Sequence, residues 1–113
     1  MSALKYAYEI YQLPLEHNQR FMSYTTMANH GESLDTAAYN RVYKGELIFN
    51  STAETPMEVL EELYTIFNLY HPEDYRAASL SMSDVVVLVY NGKTEAYCCD
   101  TYGWVLVPNF IKN

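Results

Sequence analysis

A chain of 113 residues has the length of one compact domain, with no room for a barrel enzyme or a two-domain dinucleotide enzyme. Half of its residues are hydrophobic, enough for a sizeable core and too many for wholesale disorder. Fourteen acids against seven bases leave a net charge of −7, which argues against direct nucleic-acid binding, because neutralising phosphates needs clustered Lys and Arg.

Leu4 to Leu13 alternates: Tyr6, Tyr8 and Ile10 share one face, and Lys5, Glu9 and Tyr11 share the other. Aromatic and β-branched residues at period two predict a strand, ended by Pro14. Glu16 to Tyr24 fits a short helix with Phe21 and Met22 turned inward. Asn29-His30-Gly31-Glu32-Ser33 has turn chemistry, and Ser33 or Asp35 can cap a brief helix through Tyr39. Arg41 to Phe49 reads as a second strand, interrupted by Gly45.

Thr55-Pro56-Met57-Glu58 is the clearest local signal. Thr55 can accept the Glu58 N–H, Glu58 can reach back, and Pro56 fits the first helical position. The predicted helix runs to about Asn68. At helical spacing, Met57, Val59, Leu60, Leu63, Tyr64, Ile66 and Phe67 fill one arc, and Glu58, Glu61, Glu62 and Thr65 fill the opposite one. His71-Pro72-Glu73-Asp74 stops the helix, and a loop follows through Ser83.

Val85 to Tyr90 is an unbroken apolar run, which predicts a strand covered on both sides. Asn91-Gly92 is a strong hairpin signal, returning the chain along Thr94 to Cys99. Asp100-Thr101-Tyr102-Gly103 makes a second turn into a third strand, Trp104 to Val107. The predicted class is α+β: an antiparallel sheet of the N-terminal strand and a C-terminal three-stranded meander, with one main amphipathic helix (about 56–68) on one face. Residues 1–113 form a single domain.

The N-terminus lacks a basic region followed by an apolar stretch, so no signal peptide is expected. No apolar run is long enough to span a bilayer, and no membrane association is expected. Cys98 and Cys99 are adjacent, and neighbours on a strand point to opposite faces, a poor geometry for bonding to each other. With no other cysteine, a disulfide framework is absent and a cytoplasmic location fits best.

Several runs resemble the YodL-like domain: Tyr8-Glu9-Ile10-Tyr11-Gln12-Leu13, Arg20-Phe21, Pro72-Glu73-Asp74-Tyr75, Ser79-Leu80-Ser81-Met82-Ser83-Asp84-Val85-Val86, and Tyr97-Cys98-Cys99-Asp100-Thr101-Tyr102-Gly103-Trp104. The most specific is Ser-Leu-Ser-x-Ser-Asp-Val-Val just after Pro-x-Asp-Tyr. The resemblance implies a small cytoplasmic accessory domain of bacterial or mobile-element origin, with no established catalytic activity. It implies antirestriction-type company on conjugative elements or phage, an associational hint toward an anti-defence role.

Catalytic and metal chemistry find little support. Ser81-Met82-Ser83-Asp84 can dock a partner or ligand, or simply bond neighbouring amides and launch the strand at Val85. It lacks the glycine context or nearby histidine of a nucleophilic serine. His17, His30 and His71 show no ligand spacing, alone or with the cysteines, so no metal or other cofactor is expected. A catalytic cysteine needs a depressed pKa, and mid-strand positions do not provide one.

The charge pattern says more. From Lys44 to Arg76 lie Glu46, Glu54, Glu58, Glu61, Glu62, Glu73 and Asp74 with no intervening Lys or Arg, half of all the acids. Glu58, Glu61 and Glu62 sit one helical turn apart. Such a face can steer a basic partner, or only keep the chain solvated. Twelve tyrosines are too many for one core, and either Tyr11 or the Tyr6/Tyr8 pair is left to a partner or a second copy, so a homodimer stays open.

The expected function is therefore a non-enzymatic interaction domain that binds and modulates or inhibits a host protein. Glu58, Glu61, Glu62, Asp74, Tyr75, Arg76, Ser81, Ser83 and Asp84 are the candidate contacts. Two alternatives stand beside it: an anti-defence factor, and a small enzyme or ligand-binding protein using the 74–84 loop with Arg76 as anion anchor.

Overall fold

The structure is a computed structural model that describes residues 4–49, 55–90, 92–101, 103–108 and 110. Five antiparallel strands form one sheet: β1 (Leu4–Gln12), β2 (Asn40–Phe49), β3 (Val85–Tyr90), β4 (Lys93–Asp100) and β5 (Gly103–Leu106), in the spatial order β2-β1-β3-β4-β5. Helix α1 spans Tyr24–Asn29, a short 3₁₀ turn spans Thr36–Ala38, and the main helix α2 spans Pro56–Leu69. The α+β class holds, and Arg41 to Phe49 supplies the outer strand beyond β1. Expectations for Glu54, Asn91 and Tyr102 lie outside the described residues.

Sheet register decides which residues meet. Tyr8 pairs with Leu88 and Ile10 with Val86, while Val86 pairs with Tyr97 and Cys99 with Trp104. Alternation then puts Tyr6, Tyr8, Ile10, Val86, Leu88, Tyr97, Cys99 and Trp104 on one face, where Val59, Leu60, Leu63 and Phe67 of α2 close over them. Each fully buried side chain of this kind contributes about 1.5–3 kcal/mol. The opposite face carries Val85, Val87, Ala96 and Cys98, covered by Leu13, Tyr39, Val107 and Phe110. β3 is thus covered on both sides through Leu88, as its apolar run predicts; Val89 is exposed.

The α2 boundary is set as the sequence implies. The Glu58 N–H donates to Thr55 Oγ1 at 3.3 Å, and Pro56 occupies the first turn. The apolar arc is narrower than helical spacing suggests: Met57 and Tyr64 are exposed at its flanks. Gly45 does not interrupt β2. Its missing Cβ makes room for the Tyr8 ring, since a Cβ there would stand 2.8 Å from the Tyr8 hydroxyl. The irregularity lies one turn of pleat away, where Ile10 pairs with Tyr43 but Tyr11 with Arg41, leaving Val42 as a bulge.

The helix expected over Glu16 to Tyr24 is not there. Residues 15–21 form turns, and α1 begins only at Tyr24, where Ser23 caps it by accepting the Thr26 N–H at 3.0 Å. Phe21 does not turn inward: its φ is +70°, it is half exposed, and its ring lies 4.6 Å from the Arg20 guanidinium carbon. The reason is Arg20, whose own side chain enters the core and donates to the Leu13 carbonyl at 2.7 Å.

Candidate functional site

Two arrangements of polar side chains stand out, one buried and one open. The buried one gathers where the 75–84 loop enters β3. Asp84 is completely buried. Its Oδ2 accepts the Ser81 N–H at 2.9 Å and the Gln12 amide at 3.1 Å, and Arg20 Nη1 lies 3.6 Å from its Oδ1. Gln12 Nε2 also donates to the Ala78 carbonyl at 2.9 Å. Ser83, also completely buried with φ +81°, accepts the Phe21 N–H on its Oγ, and its carbonyl accepts the Tyr39 hydroxyl. Burial raises the Asp84 carboxyl to about 7, opposed by the Ser81 N–H, Arg20 and Gln12.

This places three of the candidate contacts out of reach of a partner. Ser83 and Asp84 are internal because their side chains satisfy the backbone of neighbouring loops. Tyr75 is internal because its ring packs edge-on against Phe67 and Tyr43, and its hydroxyl donates to the Ala78 carbonyl. Arg76 is exposed, and its Nη1 donates to the Glu73 carbonyl. An anion site shared between Arg76 and Ser83 is therefore not formed: one side chain is at the surface, the other inside. Asp74 is exposed and accepts the Tyr43 hydroxyl at 2.9 Å.

The Tyr6/Tyr8 face of β1 is the one that buries. Tyr11 on the other face is half covered by Phe110, ring to ring at 5.3 Å. Cys98 and Cys99 point to opposite faces, and both are buried and unbonded to each other. Burial pushes the Cys99 thiol up to about 12 and Cys98 still higher, so neither is an ionised nucleophile near neutrality. Among the described residues, no three His, Cys, Asp or Glu side chains gather as metal ligands.

The open arrangement is on α2. Glu58, Glu61 and Glu62 are all exposed on its solvent side. Beside them runs a cleft of about 480 Å³, between α2 and the β4–β5 turn, bordered by Glu61, Tyr64, Ser81, Cys99, Asp100 and Trp104. Its size falls within the range of small-ligand sites. The Tyr64 and Trp104 rings stand nearly perpendicular, at 82°, with centroids 6.4 Å apart. Burial would raise the Asp100 carboxyl, but hydrogen bonds from the Thr25 hydroxyl and the Thr101 N–H outweigh it and hold it below its ordinary value. Ser81 Oγ is shielded from solvent and has no partner among the described residues.

A profile of the YodL-like domain matches residues 7–110. The chain belongs to that family. No curated protein and no solved structure matches it. In this YodL-like domain the matched span takes in β1 from Ala7, the whole of β2 to β5, and both halves of the cleft. No described helix is long and apolar enough to cross a membrane. Asp100 and Trp104 are site residues that the sequence pattern left unmarked; the cross-strand pair Cys99–Trp104 next to the Gly103 turn is the signal that could have found them. Gln12 and Arg20 carry no such signal, because nothing in their spacing says that the sheet will bury them.

Proposed function

We propose that this YodL-like domain is a non-enzymatic cytoplasmic interaction module that binds and modulates a basic surface of a host protein through α2. The observation that carries this is the exposure of Glu58, Glu61 and Glu62 on one helix face, without a salt-bridge partner among the described residues, beside a cleft lined by aromatic rings. A face of one sign raises the rate of encounter with an oppositely charged partner and loses that advantage with salt. Aromatic side chains at its border add contact area at low entropic cost. The Ser83 and Asp84 side chains of the polar loop bond neighbouring backbone, which leaves the exposed glutamates of α2 as the charged surface this reading rests on.

The test is affinity capture from the native host at low and at physiological salt, using wild type and a variant with Glu58→Lys, Glu61→Lys and Glu62→Lys together. The expected result is one partner retained by wild type, weakened by salt and lost in the charge-reversed form. Undiminished capture of that partner by the variant rules out the α2 face.

A further inference from the structure

We infer that β5 is a docking edge, to which an extended segment of the basic partner adds as a further strand with alternate side chains along the flank of α2. This rests on the reading of α2 as the binding face and names the form in which the partner arrives.

The backbone decides the form of the occupant. β5 ends the sheet, and no described strand lies beyond it. Opposed residues of an antiparallel pair alternate between hydrogen-bonded and non-hydrogen-bonded. The Val107 N–H donates to the Ala96 carbonyl at 2.8 Å, so Cys98–Val105 is also a bonded pair, while Tyr97–Leu106 and Cys99–Trp104 are not. Cys99 agrees: its N–H donates to the Asp84 carbonyl at 2.8 Å and its carbonyl accepts the Ser83 N–H at 3.2 Å, both away from β5. Trp104 and Leu106 therefore turn their N–H and C=O groups to the open rim, one donor and one acceptor each. An extended chain satisfies such a row. Four residues make too short a rim to stack copy upon copy, yet they match the reach of a short peptide.

The helix decides the side chains. Trp104 and Leu106 share the α2 face, Trp104 in the core and Leu106 exposed. Met57, Glu61 and Tyr64 follow one another along one flank of α2, all exposed. The Tyr64 and Trp104 rings meet at 6.4 Å, so that flank is the one turned toward β5. A strand beside β5 offers every second side chain to it. The complement of Met57, Glu61 and Tyr64 is apolar, basic, apolar.

Charge excludes the rival arrangements. A second copy pairing through its own β5 would set two α2 helices side by side on one face of a continuous sheet, acid against acid. The other rim, β2, shows Arg41 and Lys44 to water and is bulged at Val42, which suits a basic strand badly.

The probe is acetyl-Thr-Val-Thr-Lys-Thr-Val-Thr-amide, titrated through the millimolar range against the whole chain. Its counterparts carry glutamate for lysine, or the same side chains with the five central amides N-methylated. Binding is followed by backbone amide shifts and amide exchange in a two-dimensional nitrogen–proton spectrum. The lysine peptide is expected to shift the Trp104 and Leu106 amides saturably and to slow their exchange. The glutamate peptide is expected to bind several-fold more weakly, and the N-methylated one not at all. Leu106→Pro removes an N–H that faces the rim and leaves the pairing with β4 whole, so it should fold and lose the response. Glu61→Lys should weaken the lysine peptide about threefold or more. Equal binding of the N-methylated peptide, undiminished binding by folded Leu106→Pro, shifts confined to Glu58 and Glu62, or no response each overturns the proposal. So does a wild-type chain that sediments as a dimer and becomes a monomer on Leu106→Pro, which gives the edge to a second copy. The two readings separate cleanly. A host partner lost on reversing Glu58, Glu61 and Glu62 beside a silent β5 leaves α2 as the face and removes the docking edge. Peptide binding at β5 with undiminished partner capture does the reverse.

Discussion

The Asp84 carboxylate and the Arg20 guanidinium stand 3.6 Å apart, and both side chains are shut away from water. Such a pair is costly to bury and costlier to break, since removing one partner leaves the other charge stranded. Arg20→Met, measured by urea denaturation near pH 8 where Asp84 is ionised, is expected to lose about 3–5 kcal/mol. Pairing it with Asp84→Leu should recover much of that loss. Full additivity of the two changes would show that the pair does not interact.

Asp84 also gives stability a pH dependence. The unfolded chain titrates this carboxyl near its ordinary value of about 3.9, whereas in the fold burial lifts it to about 7. Between those values the native state holds a proton that the unfolded state has released. The contribution is complete below about pH 4, is lost as pH rises through about 7, and levels off above. The wild-type urea midpoint is expected to fall between about pH 5 and about pH 8. Asp84→Asn, which keeps an acceptor for the Ser81 N–H but cannot ionise, should flatten that slope. Parallel profiles for the two proteins would exclude Asp84 as the source.

Gly45 and Tyr8 make a steric prediction. An added Cβ meets the Tyr8 hydroxyl at 2.8 Å and its ring carbon at 3.0 Å, and the ring is buried under α2 with little room to move. Gly45→Ala should cost about 1–3 kcal/mol in denaturant unfolding. In a Tyr8→Phe background, where the nearest atom is gone, the same change should cost less. An equal cost in both backgrounds would place the strain elsewhere.

Ser83 separates two effects at one residue. Its φ of +81° is left-handed, and its Oγ accepts the Phe21 N–H at 3.0 Å. Ser83→Ala loses the acceptor and keeps the backbone strain. Ser83→Gly loses the acceptor and relieves the strain. Glycine should therefore be the milder change by about 1 kcal/mol. The denaturation midpoints of the two variants decide it, and the opposite order would refute a strained Ser83.

How much was legible depends on how local the cause was. The start of α2 could be read because Thr55, Pro56 and Glu58 settle it among themselves. The buried face of β1 could be read because alternation has period two, and the register only had to choose between two faces. The 15–21 turns could not, because they follow from Arg20 reaching back to Leu13 and across to Asp84. The acidic side of α2 was visible because its three glutamates lie within one run of sequence. The cleft was not, because Glu61 and Tyr64 meet Asp100 and Trp104 only once β4 and β5 are laid beside the helix. Ser83 and Asp84 misled for a similar reason: a polar pair before a strand looks like a surface loop until partners from β1 and the 20–21 turn enclose it.

The two outermost strands bear on how the protein behaves when concentrated. On one rim, β2 shows Arg41, Lys44 and Glu46 to water and is bent by the extra residue at Val42. On the other, β5 is only four residues long. Templated growth by strand addition needs a long, flat, uncharged border, and neither rim offers one. Crowded solutions should therefore resist fibrillar stacking.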